Sequence, residues 1–228
     1  MDLMQSKVSS NLASTCRAES IPAAIRDSQL MKQGGCVVFE GLVNAQMRRD
    51  MLSEATALLP HATRYEVRVS DGEEQRGGRP RRRFISAQGG PLQQVFNTSP
   101  AVLEFLRGLT IPTLTYTGEI GTYSYYMDPG DYLDIHRDIV TCDVAVITCL
   151  HDRAKDGGDS GRLCIYPGRL SEPLSQIRAT PERGAVKLRV EVGQTLVFYG
   201  GMVPHALMPV AEGQARIVSV LCYRAVLQ

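Results

Sequence analysis

Between Thr113 and Arg224 the chain runs as short β-branched and aromatic segments: TLTYTG (113–118), TYSYYM (122–127), DVAVITCL (143–150), RLCIY (162–166), AVKLRVEV (185–192), TLVFY (195–199), HALMPV (205–210) and ARIVSVLCYR (215–224). Gly, Pro and Asp separate them, residues that end strands and make turns. About eight strands in succession, with no helical period between neighbours, exclude a parallel α/β sheet, whose every step needs a crossover helix. A sandwich or barrel is what remains.

Upstream the pattern changes. Pro22 to Gln33 reads as a helix, with Pro22 in its first turn, Ala23, Ala24, Leu30 and Met31 favouring it and Gly34-Gly35 stopping it. Cys36 to Phe39 is a short apolar strand. Asn44 caps a second helix to Leu59, where Met47, Met51, Ala55, Leu58 and Leu59 recur at three- and four-residue steps while Arg48, Arg49 and Glu54 face away. Thr63 to Ser70 alternates like a strand, and Ser99 with Pro100 opens a third helix to Leu109. Asp71 to Arg83, DGEEQRGGRPRRR, has almost nothing to bury and is expected to be a mobile loop. Helices first and strands second make one α+β domain over 1–228, in which 1–112 supports a β-core at 113–228.

Twenty-five Lys and Arg against 24 Asp and Glu leave a net charge of +1, so no global field draws the protein to nucleic acid or an anionic membrane. Arg outnumbers Lys 21 to 4, for which the codon composition of a GC-rich genome is the plain cause. Residues 1–17 lack the apolar core of a signal peptide, and no run approaches the ~20 apolar residues of a membrane helix. Cysteines 16, 36, 142, 149, 164 and 222 are scattered without a C-x-x-C pair. A soluble, cytoplasmic protein with reduced thiols is expected.

Only four histidines are present, and two stand where chemistry needs them. In extended backbone the side chains of His136 and Asp138, at i and i+2, leave one face and can reach one metal ion. His205, just past TLVFY and Gly200-Gly201, completes a two-His, one-carboxylate face that leaves open positions on an octahedral ion and suits non-haem Fe(II). The absence of thiolate disfavours structural zinc. His61 and His151 have no partner at metal spacing and read as surface or loop residues. Arg216 opens the apolar run IVSVLCY and shares a face with Val218 and Val220. A guanidinium facing inward needs an anionic partner, and a bound carboxylate would serve; Arg224 has the same parity and is the rival.

These residues carry a resemblance to the Fe(II)- and 2-oxoglutarate-dependent dioxygenase superfamily, over roughly Thr113 to Arg224. The stretch from Tyr126 through Gly130 and Leu133 to His136-Arg137-Asp138 is similar to the family's Tyr, Gly, aliphatic, His-x-Asp pattern. GQTLVF (193–198) with Val203-Pro204-His205 resembles its distal-histidine segment, and Gly213-Gln214-Ala215-Arg216 the strand bearing its basic residue. The resemblance implies a double-stranded β-helix, of jelly-roll or cupin-like form, with N-terminal helices packed on it. It implies catalytic ligands His136, Asp138 and His205 on Fe(II), Arg216 on the distal carboxylate of 2-oxoglutarate, and O2 as the other cosubstrate.

Where some relatives carry a Ser or Thr two residues after that Arg, Val218 stands, so another hydroxyl is needed: Tyr126 is the first candidate, Tyr123 or Tyr125 the alternates. Asp138 occupies the position that related halogenases fill with a small residue, so hydroxylation or desaturation is implied, with succinate and CO2 as coproducts. The implied substrate is a small molecule such as an amino acid or specialised metabolite. Arg162, in GGDSGRLCIYPG (157–168), and Tyr125 are its candidate contacts. Two alternatives stand: a peptidyl, prolyl-type hydroxylase, and a cupin-like metal-binding or isomerase protein that does not use 2-oxoglutarate. The second arginine of the nucleic-acid-demethylating branch would fall on Cys222 and no aromatic interleaves Arg76 to Arg83, so no nucleic-acid partner is expected and that run reads as solvated, with an anionic substrate as its other use.

Overall fold

In a computed structural model, which describes residues 5–6 (backbone), 21–72, 74, 76–153 and 158–226, the strand-rich half and part of the N-terminal half form one curled antiparallel sheet. Its strands in chain order are β1 (Gln5–Ser6), β2 (Cys36–Glu40), β3 (Thr63–Val67), β4 (Arg82–Gln88), β5 (Leu114–Tyr116), β6 (Thr122–Tyr126), β7 (Tyr132–His136), β8 (Val144–Arg153), β9 (Leu163–Ile165), β10 (Val186–Leu188), β11 (Gln194–Phe198), β12 (His205–Leu207) and β13 (Ala215–Ala225). The spatial order is β1-β2-β11-β8-β13-β6-β4-β7-β12-β9-β10, with β3 added to β4 and β5 to β13. Strands far apart along this path, β8 and β13 against β7, β9 and β12, line a common cavity, so the sheet closes on itself as a double-stranded β-helix.

Six α-helices, with two 3-10 turns at Leu59–His61 and Pro167–Arg169, complete the chain among the described residues: α1 (Ala23–Arg26), α2 (Gln29–Lys32), α3 (Ala45–Leu58), α4 (Pro91–Asn97), α5 (Pro100–Leu109) and α6 (Leu174–Ala179). The largest hydrophobic cluster joins Met51 and Ala55 of α3 and Leu106 of α5 to Tyr123, Tyr125, Val146 and Leu196 of the sheet. Alternation along β6 puts Tyr123 and Tyr125 on this helix-covered face, where the Tyr125 hydroxyl donates to the Ala55 carbonyl at 2.6 Å, and leaves Ser124 and Tyr126 facing the other way. Asn44 caps α3 as expected, accepting from the Met47 amide at 2.8 Å.

Several expectations are corrected. Pro22–Gln33 is two single turns, not one helix: the buried Ser28 hydroxyl donates to the Ile25 carbonyl and accepts from the Met31 amide, local bonds that restart the chain as α2. Ser99 opens α5 without a side-chain cap. Glu54 does not face away: its carboxylate accepts from the amides of Leu92 and Gln93 at 2.7 and 3.1 Å, stabilising the start of α4, and from the Tyr123 hydroxyl at 2.7 Å. Arg48 also turns inward and donates to the Leu150 carbonyl. The strand-rich half is interrupted by α6, whose Leu174 and Ile177 pack on Ile135 and Tyr166.

Nor are all thiols reduced. Cys142 and Cys222 form a disulfide with Cα atoms 4.9 Å apart, because pairing of β13 with β8 sets Cys222 beside Ala145, just past the Cys142 turn. Cys36, Cys149 and Cys164 stay free and buried, and burial pushes the Cys36 thiol up to about 12. Among the described residues no helix is long and apolar enough to cross a membrane.

Candidate metal centre

The approach to the site is built by the turn between β6 and β7. The Asp131 carboxylate, fully buried, accepts from the amides of Met127 and Asp128 at 3.0 Å each and pairs with Arg64 at 2.6 Å. Gly130 takes the left-handed conformation the turn requires, with φ of 83°. This fixes the start of β7, whose last residue is His136. On the other side, the Met202 and Val203 amides donate back to the Tyr199 carbonyl, a tight turn that delivers His205 to β12 directly opposite His136 in the ladder. Asp138 follows, its amide bonded to the Gly200 carbonyl at 2.9 Å. A Cβ on Gly200 would overlap Asp138 Oδ2, so only glycine allows the carboxylate to stand there.

The Nε2 atoms of His136 and His205 lie 3.6 and 3.5 Å from Asp138 Oδ1. One ligand atom from each of the three residues lies within 4.8 Å of the others. Ligand atoms about 2.0–2.2 Å from a cation are separated by similar spans. Both rings are oriented from behind: His136 Nδ1 bonds the Asp134 carbonyl at 2.8 Å, and His205 Nδ1 the Val203 carbonyl at 2.9 Å. Carbonyls only accept, so each Nδ1 carries a proton, which leaves Nε2 as the atom each ring offers to a cation. Burial, reinforced by the neighbouring His205, lowers the His136 pKa and keeps that ring neutral. For Asp138 burial acts upward, but the neighbouring His205, with His136 beside it, outweighs that and holds the carboxyl below its ordinary range. Two imidazoles and one carboxylate converge, a donor set that fits a divalent transition metal and lacks the thiolates of a structural zinc site.

Arg137, pointing the other way, donates to the Leu170 and Glu172 carbonyls at 2.8 and 2.9 Å and anchors the ligand segment. From the arginine-rich run expected to be mobile and solvated, Arg76 is bound into the same region. It donates to Asp143 Oδ1, to the Ile139 and Cys142 carbonyls, each at 2.8 Å, and to the Asp138 carbonyl at 3.3 Å.

An inner cavity of ≈ 110 Å³ extends from the three ligands past Phe84, Ser124, Tyr126 and Val218 to Arg216. Arg216 is buried, as its strand parity predicts, but its first partner belongs to the protein: Nη1 donates to Asp152 Oδ2 at 2.6 Å and Nη2 to the Val190 carbonyl at 3.0 Å. Asp152 is shared with Arg189 at 3.1 Å, so two guanidiniums face one carboxylate. Arg216 Nε is buried with no hydrogen-bond partner. Surplus positive charge and an orphaned donor at the end of the cavity fit a bound carboxylate. Arg224 is exposed at the far end of β13 and cannot take this role.

Of the tyrosines, Tyr126 lines the inner cavity and is the cross-strand partner of Arg216. Tyr125, expected against the substrate, is in the helix-side core, since neighbours in a strand face opposite ways. Arg162 curls back onto its own turn, donating to the Gly158 carbonyl at 3.1 Å, and lines neither cavity; Gly157 lies outside the described residues. Neither His61 nor His151 belongs to the triad; His61 is exposed in a turn, as read, whereas His151 is half-buried within β8 rather than in a loop. An outer cavity of ≈ 470 Å³ meets the inner one at Phe84, Ser124, Asp138 and Val220, and is further lined by Tyr65, Arg82, Ile120, Ile139, Cys142 and Cys222. Ser124, Phe84 and Gly200 carry parts of the site that the sequence reading missed, while Arg82 belongs to the run read as solvated, with an anionic substrate as its other use. Ser124 was legible from its i−2 relation to Tyr126; the others depend on β4 and on a close approach between distant segments.

No family model matches the chain, and no curated protein matches it. Among solved structures its fold recurs. AviO1 from Streptomyces viridochromogenes is similar at a TM-score of 0.64 and 16% identity, over 93% of this chain and 96% of that one. The epimerase SnoN, in complex with Fe3+, alpha ketoglutarate and nogalamycin RO, is similar at 0.60 and 17%, over 89% and 81%. A Pseudomonas putida prolyl-4-hydroxylase is similar at 0.57 and 16%, over 85% and 94%. At these identities the likeness is one of fold.

Proposed function

We propose that the chain is an Fe(II)- and 2-oxoglutarate-dependent oxygenase that hydroxylates or desaturates a small molecule. The observation that carries this reading is one cavity with His136, Asp138 and His205 at one end and a buried, incompletely paired Arg216 at the other. The ligands of a redox metal and a carboxylate anchor at the two ends of one small chamber suit a short dicarboxylate, and a cupin-like isomerase has no use for the second. The fold shared with SnoN, seen with iron and alpha ketoglutarate, supports it.

When bound, Fe(II) with 2-oxoglutarate and O2 supplies a two-electron oxidation of substrate with succinate and CO2 as coproducts. His136, Asp138 and His205 hold the metal on one face and leave its other positions to ligands. Arg216, with its partner Asp152 fixing the guanidinium plane, orients the distal carboxylate of 2-oxoglutarate, with Tyr126 and Ser124 as the hydroxyl-bearing side chains of the same chamber. Phe84, Leu133, Leu207 and Val218 make the chamber apolar and exclude water from the oxidation. The outer cavity is the substrate chamber, of a size within the roughly 300–1,000 Å³ of small-molecule sites.

Anaerobic addition of 2-oxoglutarate to ferrous protein should give a visible charge-transfer band, and aerobic turnover should form succinate. Coupling of succinate formation to free amino acids and small metabolites, and not to proline-containing peptides, is the result expected for a small-molecule enzyme. Peptide coupling alone would make it a peptidyl hydroxylase, the reading suggested by its likeness to the Pseudomonas putida prolyl-4-hydroxylase.

A further inference from the structure

The arginine-rich run contains one cation that the proposed chemistry leaves unused. Arg76, Arg81 and Arg83 pair with Asp143, Asp134 and Asp131, and Arg79 is exposed. The Arg82 side chain has no ion pair or hydrogen bond among the described residues, and its Nε is buried without a partner. Its guanidinium carbon lies 5.2 Å from the ring centroid of Tyr65, which stacks on Phe84, so the group is held in place by aromatic contact. Arg82, Phe84 and Ser86 alternate on one face of β4, and all three line the outer cavity together with Asp138. Glu119 is the other acidic side chain of that lining besides Asp138; it is exposed and accepts from the Thr141 hydroxyl, not from Arg82.

We infer that Arg82 anchors the substrate in the outer cavity and that the substrate carries a carboxylate on an apolar or aromatic body. A planar, partly desolvated guanidinium with an unused donor gains most from a carboxylate, which brings charge and a matching hydrogen-bond geometry. Phe84, Ile120, Ile139 and Val220 supply the apolar wall on which the body of such a molecule packs. Arg216 and Arg82 then divide two anions between the inner and the outer chamber, which meet at Asp138. The assignment of the outer chamber to substrate rests on the oxygenase reading; the anion site itself does not.

The test is calorimetric titration of phenylacetate and of its neutral analogue phenylacetamide into anaerobic protein saturated with Fe(II) and 2-oxoglutarate. Wild type should bind the acid at least tenfold more tightly than the amide. Arg82→Gln should lose at least tenfold for the acid and erase the discrimination, while Arg82→Lys keeps part of it, with circular dichroism checking that both variants fold. Equal affinity of the acid for wild type and Arg82→Gln, equal affinity of acid and amide for wild type, or no binding to wild type at millimolar concentration would overturn the assignment. Repeating the titration without iron and 2-oxoglutarate separates the two ideas. Arg82-dependent discrimination in protein that binds no 2-oxoglutarate would keep the anion site and remove the oxygenase, and intact 2-oxoglutarate binding without discrimination would do the reverse.

Discussion

His136 on β7 and His205 on β12 are directly opposed in an antiparallel ladder, their ring centroids 4.2 Å apart, each ring tied at Nδ1 to a backbone carbonyl two residues earlier in the chain. The geometry of this candidate metal-binding face is therefore set by strand register and main-chain bonds. Replacing His136, His205 or Asp138 by Ala should abolish high-affinity Fe(II) binding and turnover while the protein still folds, because the strand ladders and the hydrophobic clusters around them are left in place. Metal content after gel filtration, with circular dichroism as the fold check, measures it; retained iron in His136→Ala/His205→Ala would move the site elsewhere.

Gly200 makes a sharper test, since it has no side chain to ligate a metal. A methyl group there collides with Asp138 Oδ2, so Gly200→Ala should weaken Fe(II) binding by about tenfold or more through displacement of the carboxylate. Gly158, whose Cβ position is open, is the control: Gly158→Ala should bind iron as wild type does.

Tyr125 and Tyr126 are neighbours with opposite duties. Tyr125→Phe removes the bond to the Ala55 carbonyl and should cost about 1 kcal/mol of stability in denaturant unfolding, with 2-oxoglutarate affinity unchanged. Tyr126→Phe should weaken 2-oxoglutarate binding with little loss of stability. The opposite pattern would mean that the facing of β6 is reversed.

The Cys142–Cys222 bridge closes 80 residues of chain. Peptide mapping without reductant should recover the two cysteines as one linked peptide, and Cys142→Ser/Cys222→Ser should lose about 2–4 kcal/mol of stability. Two free, alkylatable thiols at these positions in freshly isolated protein would refute the bridge.

What the sequence made legible follows from what each inference rests on. Strand parity and the i, i+2 rule need only local backbone, and they placed His136 with Asp138 and turned Arg216 inward. The partners of buried charge are long-range, which is why Asp152 was invisible as the first partner of Arg216 and Glu54 was read as solvent-facing. Tyr125 and Tyr126 needed a phase: the alternation was readable, but which tyrosine pointed inward depended on the packing of α3 against β6. In β4 the run RRFISAQ follows a polar, glycine-broken segment that masked its strand character, and with it Arg82 and Phe84. The Cys142–Cys222 pair depends on the register of β8 with β13, for which cysteine spacing carries no signal.

The most direct test is the anaerobic 2-oxoglutarate titration of ferrous wild type, Arg216→Ala and Arg224→Ala, followed through the visible charge-transfer band. The predicted result is a saturable band in wild type, unchanged affinity in Arg224→Ala and a loss of tenfold or more in Arg216→Ala. Bound iron with neither a band nor succinate, or equal affinity in wild type and Arg216→Ala, would contradict it.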